Sequence, residues 1–444
     1  MTKETWQLPS NAAIGGILAQ RIDAEQSGVG IVVGVIDRRG RRVVAHGARK
    51  AGEATPLDGD TVFEVGSISK VLTCLLLADM AERGEVALND AAEKYLPDGV
   101  SMPTRRRRQI TLTDLATHTS GLLRMPSNLA PASPANPFAD YGAEQLYALL
   151  GSLRLTRDIG KTYDYSNLGS GLLGHLLALR GGRDYEALVE ARIMGPLGMA
   201  STAMTLGSHL QSRLAHGHDR ALRPIANWDW DVLAGAGAFR STVNDLLRFL
   251  AAELGYADTP LKVAMAAQLV PRRPTGAKAA EIALGWHIST RGERPIVWHN
   301  GSAGGYRAFL GMDLAAGTGA VVLTNAATER GGDDIGFHLL TGAPLKPPPP
   351  VRAAIAVGED VLERWVGRYG LAPQRELTVR REDARLLAQI TAQREAEIHA
   401  ETEARFFWKA VDAQVTFELG ADGRAARAVI HQNGRDISCE RIAD

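Results

Sequence analysis

The spacing of apolar residues changes along this chain, and each change marks an element. Residues 10–26 carry apolar side chains at helical spacing, with Ser10 or Asn11 placed to cap the first turn, which predicts an amphipathic helix. Gly30 to Ile36 is a short run rich in valine and isoleucine. The turn Asp37-Arg38-Arg39-Gly40 and a second short run, Arg42 to Ala45, follow it, so the pattern predicts a β-hairpin. Val62 to Val65 reads as a third strand, and Leu72 to Glu82 as a strongly apolar helix ending at Gly84. From about residue 90 to 290 the pattern is mostly helical, broken by loops rich in Pro and Gly. The longest of these, Met125 to Phe138, contains Pro126, Pro131, Pro134 and Pro137 and has the length of a functional loop. Strands return at Ile296 to Trp298, Arg307 to Met312 and Ala320 to Thr324, and a short helix is predicted near Ile335 to Leu340.

Pro347-Pro348-Pro349-Pro350 then interrupts the chain as a stiff linker without backbone donors. Beyond it the period becomes short and alternating, at Glu376 to Arg380, Arg385 to Ile390, Arg405 to Lys409, Gln414 to Leu419, Ala428 to Gln432 and Asp436 to Glu440. Turn signals at Ala421-Asp422-Gly423 and Asn433-Gly434 lie between them. About eight strands at hairpin spacing predict a small antiparallel sheet or barrel. The division that follows is a first domain over 1–343, a Pro-rich linker over 344–352 and a β domain over 353–444.

Composition narrows the function classes. The chain has 444 residues, 45% of them hydrophobic and 23% charged, which suits globular domains with cores. Fifty basic residues balance fifty acidic ones, without the basic excess of a nucleic-acid binder. Two cysteines, Cys74 and Cys439, imply no disulfide framework, and Cys74 lies in the apolar run Val71 to Leu77. No apolar run approaches the roughly 20 residues that cross a bilayer. The first residues lack a basic patch followed by an apolar stretch, so a cytoplasmic location is expected, or a periplasmic one if a leader has been removed.

Three segments carry residue types suited to acyl chemistry. In Gly66-Ser67-Ile68-Ser69-Lys70, at the entry to the apolar helix, positions i and i+3 share a face, so Lys70 can take the proton that makes the Ser67 hydroxyl nucleophilic. In Tyr163-Asp164-Tyr165-Ser166-Asn167, Tyr165 can serve as a base or proton shuttle, with its phenolate stabilised by a nearby ammonium, and Asn167 can bond both a lysine and a substrate amide. In Trp298-His299-Asn300-Gly301-Ser302-Ala303-Gly304-Gly305-Tyr306, His299 can orient a proton or contact the acyl portion. Gly301 permits close approach, and an N–H near Ser302 can complete an oxyanion hole. Each segment also has a plain structural reading: a solvated Ser and Lys, an interfacial Tyr with a helix-capping Asn, and a glycine-rich turn with a half-exposed His.

Together and in this order, Ser67-Ile68-Ser69-Lys70, Tyr165-Ser166-Asn167 and His299-Asn300-Gly301 resemble the S-x-x-K, Y-x-N and K/H-x-G set of the penicillin-recognising serine hydrolases. The branch they are most similar to is that of class C β-lactamases, DD-carboxypeptidases, D-aminopeptidases and esterases. Phe63 to Gly66, Ile110 to Leu122, Pro196 to Met199 and Gly235 to Gly237 add to the likeness, which spans roughly residues 12–340, while the tail resembles a lipocalin-like domain. The resemblance implies an α/β fold of the β-lactamase/transpeptidase type, an antiparallel sheet flanked by helices with an all-α insertion, plus a C-terminal lipocalin-like barrel. It implies that Ser67 attacks, that Lys70 and Tyr165 move protons, that Asn167 binds the acyl amide and that the amides of Ser67 and Ser302 hold the oxyanion. One departure stands out. Where many members have a lysine, His299 is only partly charged near neutral pH, which leans toward D-peptide amides or esters over carboxylate-terminal substrates.

The expected activity is hydrolysis of amide or ester bonds through a Ser67 acyl-enzyme. Alternatives are a strict class C-type β-lactamase, an acyltransferase or peptide cyclase of the same chemistry, and, lowest in rank, a non-catalytic penicillin-binding receptor. No cofactor or metal is expected; His216-Gly217-His218-Asp219 has no further ligand at a suitable spacing. The implied partner is a small-molecule or short-peptide substrate, with no nucleic acid or membrane, and dimerisation stays open. Arg105 to Arg108 reads as a solvated loop, and Trp228 and Trp230 as cleft lining or core.

Overall fold

The computed structural model describes residues 6–442 except 271, 292–293, 329, 349–351, 373–374, 392–394, 410–411 and 433–434. It divides into two compact units, Met1–Lys346 and Pro347–Asp444. The Asn433-Gly434 turn and the second half of the Pro run lie outside the described residues.

In the first unit Ser10 caps α1 (Asn11–Ala19) by accepting from the Ala13 N–H, and a π-helical turn over Gln20–Ala24 prolongs it. The predicted hairpin forms as β1 (Gly30–Asp37) and β2 (Gly40–Gly47). The apolar helix is α2 (Ser69–Glu82), preceded by a 3₁₀ turn over Gly66–Ile68. Later come α3 (Asn167–Gly181) and α4 (Val243–Glu253), then strands β3 (Arg273–Pro274), β4 (Ala280–Ile282), β5 (His287–Arg291), β6 (Arg294–Ala303), β7 (Tyr306–Asp313) and β8 (Thr318–Thr324), and finally α5 (Asp333–Thr341). These strands form one antiparallel sheet in the order β2-β1-β8-β7-β6-β5-β4-β3. The chain therefore leaves the sheet after β2 and returns at β3, and the excursion supplies the helical layer.

Two expectations need correction. Val62 to Val65 is not a sheet strand. Only Phe63–Glu64 is extended, paired with Arg240–Ser241 in a separate two-stranded ribbon, because the chain must turn at once into the helix that carries Ser67. The stretch to residue 290 is also less helical than its pattern suggests. Its end supplies β3 to β5, whose two-, three- and five-residue strands are too short for a periodicity to register.

Both sheet faces are covered, so the alternation of the strands sorts two apolar sets rather than apolar from polar. On β1 and β8, Val32, Ile36, Val321 and Leu323 join the large core with α2 and α4. Their neighbours Ile31, Val33, Val35, Ala320 and Val322 pack with Ile14, Leu18, Ile335 and Leu339 of α1 and α5. The two terminal helices on that second face are tied by a buried ion pair, Arg21 to Asp334 at 2.7 Å with both side chains 2% exposed.

In the second unit eight strands form a closed up-and-down barrel, β9 to β16: Gly367–Ala372, Arg375–Glu382, Arg385–Ile390, Ala396–Ala400, Arg405–Phe407, Ala413–Leu419, Ala425–Gln432 and Arg435–Arg441. Closure removes the exposed edges that an open sheet of this size would leave. Inward residues including Tyr369, Leu377, Val379, Phe406, Val415, Phe417 and Ile430 fill the interior, together with Leu362 and Trp365 from a short helix, Glu359–Arg364, and its end. Cys74 and Cys439 are both free and buried, one in each unit. Among the described residues no helix is long and apolar enough to cross a membrane.

Arg21 also lies 3.6 Å from Glu25, so removing Asp334 leaves its buried charge only partly compensated. Asp334→Ala is therefore expected to destabilise the first unit by about 3 kcal/mol, and the double change Arg21→Met with Asp334→Leu to restore most of it. Chemical denaturation of the full chain measures both.

Candidate active site

The three chemistry-bearing segments converge although they lie far apart in sequence. Gly66 has a φ of +51°, and a Cβ there would sit 2.7 Å from the Ser302 carbonyl oxygen. A Cβ on Gly301 would collide with the Val65 carbonyl oxygen. These two glycines let the turn before α2 lie against the end of β6, which brings Ser302 alongside Ser67. Beyond Trp298, β6 pairs only with β7, since its ladder with β5 covers Arg294 to Trp298. Among the described residues the far edge of His299–Ala303 has no strand partner, so its backbone groups can meet an extended substrate or an oxyanion.

Lys70 is 1% exposed, on the first turn of α2. Its Nζ lies 3.0 Å from Ser67 Oγ, 2.8 Å from Asn167 Oδ1 and 2.5 Å from the Ala236 carbonyl oxygen. Burial pushes its pKa well below the usual lysine value, and the nearby Arg124 guanidinium pushes the same way. A neutral amine has two hydrogens and one lone pair. The two carbonyl oxygens take the hydrogens, and the lone pair is left for the Ser67 hydroxyl. Asn167 is fixed in turn, its Nδ2 meeting Met125 Sδ at 3.2 Å and its backbone N–H donating to the Arg124 carbonyl at 2.9 Å.

Tyr165 stands close enough to the Ser67 side chain to interact with it, and Lys70 Nζ lies 4.9 Å from its ring centroid. Burial raises the phenol pKa above its ordinary value, so the phenolate expected from the sequence is replaced by a phenol that can donate. Burial thus pushes the lysine toward its amine form and the tyrosine toward its phenol form.

His299 is fully buried, not half-exposed. Its Nδ1 lies 2.6 Å from the Asn300 carbonyl oxygen and must carry the proton, while Nε2 has no partner among the described residues. Burial first, then His287 and Lys70, depress its pKa well below the usual histidine range, so it is neutral rather than partly charged. Two histidines not singled out from the sequence stand beside it. His287 lies 5.0 Å away ring to ring, its pKa lowered to about 4 by burial and by Lys70. His118 lies 4.4 Å from the Tyr165 ring, and its Nδ1 accepts from the Ser166 N–H at 3.2 Å. His118 falls in the Ile110 to Leu122 stretch that contributed to the family likeness, a usable signal, whereas the lone His287 carried none.

The remaining candidates resolve as structural. His218 is buried, with Nδ1 2.8 Å from the Asn325 carbonyl and Nε2 accepting from the Ala51 N–H, and no cluster able to hold a metal occurs among the described residues. Arg105 and Arg108 are not simply solvated, since they pair with Asp158 and Asp114. Trp228 and Trp230 clasp Phe138, at the end of the long loop, with ring separations of 5.3 and 4.0 Å.

Residues 18–343 match the family described as Beta-lactamase. The chain belongs to that family. Residues 351–441 match a second family, described only as a domain of unknown function (DUF3471). Over 317 residues the chain is 31% identical to the D-alanyl-D-alanine-carboxypeptidase/endopeptidase AmpH of Escherichia coli (strain K12), covering 68% of this chain and 80% of that one. It is 24% identical over 419 residues to a penicillin-binding protein of Bacillus subtilis (strain 168), an alignment that covers 88% of this chain and 89% of the other. A class C beta-lactamase structure from Rhodobacter sphaeroides superposes with a TM-score of 0.62 at 27% identity, covering 71% of this chain and 94% of that chain. The beta-lactamase-family unit is thus a serine hydrolase domain, with the β-lactamase fold on the first unit and an antiparallel barrel after it.

The Lys70 environment generates a pH dependence. A group whose pKa falls on folding loses its proton at a lower pH than usual, so acylation at Ser67 should rise with pH along a limb well below the ordinary lysine value of 10.5. Lys70→Arg, which puts a permanent cation there with no usable base, should lower the acylation rate by at least about 10³-fold. Acylation rates measured across pH check both, and a limb near 10 contradicts the expectation.

Proposed function

We propose that this chain hydrolyses amide bonds beside small D-configured residues, and β-lactams as cyclic counterparts of them, through an acyl-enzyme on Ser67. The observation that carries the reading is the buried Lys70 Nζ, within hydrogen-bond distance of Ser67 Oγ and of the Asn167 and Ala236 carbonyl oxygens. As Ser67 Oγ adds to the substrate carbonyl, its proton passes to Nζ. The oxyanion is received at the Ser67 backbone and the free edge of β6 beside Ser302. Tyr165, beside Ser67 and kept as a phenol by burial, gives its proton to the departing nitrogen and is recharged from Lys70. Water then enters on the vacated side, activated by the same groups in reverse order. Asn167, already bonded to Lys70, is placed to receive the acyl amide.

The names of the relatives support D-alanyl peptides and β-lactams as the substrate classes, and the family supports hydrolysis over the transfer and receptor alternatives. Intact-protein mass spectra after brief mixing with a penicillin, and in parallel with an acyl-D-alanyl-D-alanine peptide, test the reading. An adduct on Ser67 that is absent from Ser67→Ala, together with release of D-alanine, is expected. Absence of both adduct and turnover with either compound contradicts it.

A further inference from the structure

The neutrality of His299 leaves a gap. A substrate that ends in a carboxylate, or a β-lactam with a carboxylate on its ring, needs a cation near the departing nitrogen. In the K/H-x-G position this chain has a buried, uncharged imidazole. Lys70, His118 and His287 are also pushed toward their neutral forms by burial. Burial disfavours a charge on all four groups.

Arg124 does. It is exposed, at the root of the long loop, and its Cζ lies 5.1 Å from the Tyr165 ring centroid. Its guanidinium forms no ion pair or hydrogen bond among the described residues, whereas Arg157 pairs with Asp164, Arg105 and Arg106 with Asp158, and Arg108 with Asp114. The Arg124 backbone is fixed by the site itself, since its carbonyl accepts from the N–H groups of Asn167 and Leu168 at 2.9 and 3.4 Å, at the start of α3. The base of the side chain is therefore anchored to Asn167, and its end rests on Tyr165.

We propose that Arg124 is the specificity-determining cation of this cleft and pairs with a carboxylate on the leaving-group side of the substrate. The side follows from the proposed mechanism, on which this inference rests: Tyr165 hands its proton to the leaving group, so whatever leaves lies against Tyr165, and Arg124 is stacked on that ring. A guanidinium is charged at every working pH and binds a carboxylate through two parallel N–H donors. The preference against carboxylate-terminal substrates drawn from His299 is thereby reversed, because the charge missing from β6 is supplied from the loop.

The test uses two matched aryl esters of one acyl-glycine, with 3-hydroxybenzoate or its neutral methyl ester as the leaving group. The value of kcat/KM is measured for the full chain and for Arg124→Gln and Arg124→Lys. The unaltered chain should prefer the carboxylate-bearing ester. Arg124→Gln should lower the ratio of the two kcat/KM values by about 10- to 100-fold, the equivalent of one charge-assisted hydrogen-bonded pair, and Arg124→Lys should recover part of it. An unchanged ratio overturns the proposal. So does an equal fall with both esters accompanied by a shift of the acid limb, which would place Arg124 in the tuning of Lys70 alone. If the unaltered chain forms no Ser67 adduct with either ester, the acyl-enzyme reading itself fails and this inference falls with it, an outcome distinct from a changed preference in a working enzyme.

Discussion

Burying a lysine amine without a carboxylate beside it is the constraint around which this site is organised. A charged ammonium in that position would have to surrender its hydration for two carbonyl oxygens and a hydroxyl, which is costly away from water. Releasing the proton relieves the cost, and the same two carbonyls then orient what remains. Its burial and the arginine across the Tyr165 ring both work in that direction, against a smaller opposing effect of Cys74. A single desolvated group thus links helix packing to the proposed base chemistry.

Holding that group against Ser67 requires segments from three parts of the chain to meet within a few ångströms. Side chains would keep them apart, so the contact is made by backbone on backbone at Gly66 and Gly301. The sheet supplies rigidity, with both faces buried and β6 running on past the end of its ladder with β5. That overhang is the feature most directly useful for catalysis, because it leaves a strand edge open in an otherwise covered sheet. The barrel beyond the Pro run is closed and has a core of its own.

Much of this was legible in the sequence, for reasons specific to each element. The hairpin at residues 30–47 and the helix at 69–82 have long, unambiguous apolar patterns, and the order of the three motifs pointed to the fold that holds them. Short elements were lost. β3 to β5 and the barrel strands Gly367–Ala372 and Ala396–Ala400 carry too few apolar residues, or too many charges, to display a period. Protonation states were lost as well, because burial decides them and burial is a property of the fold: His299 read as half-charged and Tyr165 as a possible phenolate until their surroundings were known. Arg124 and His287 belong to no motif and acquire meaning only through the rings they touch.

The central claim is that Lys70 rests as a neutral amine, and its side-chain ¹³Cε and ¹⁵Nζ resonances report that directly. In lysine-labelled protein, with Lys70→Met used to assign the signal, the Lys70 resonances should already have the chemical shifts of a free amine at pH 7 and should move toward the ammonium position only on acidification. Resonances that stay at the ammonium position up to pH 10 would contradict the account, and Tyr165 would then have to be reconsidered as the base.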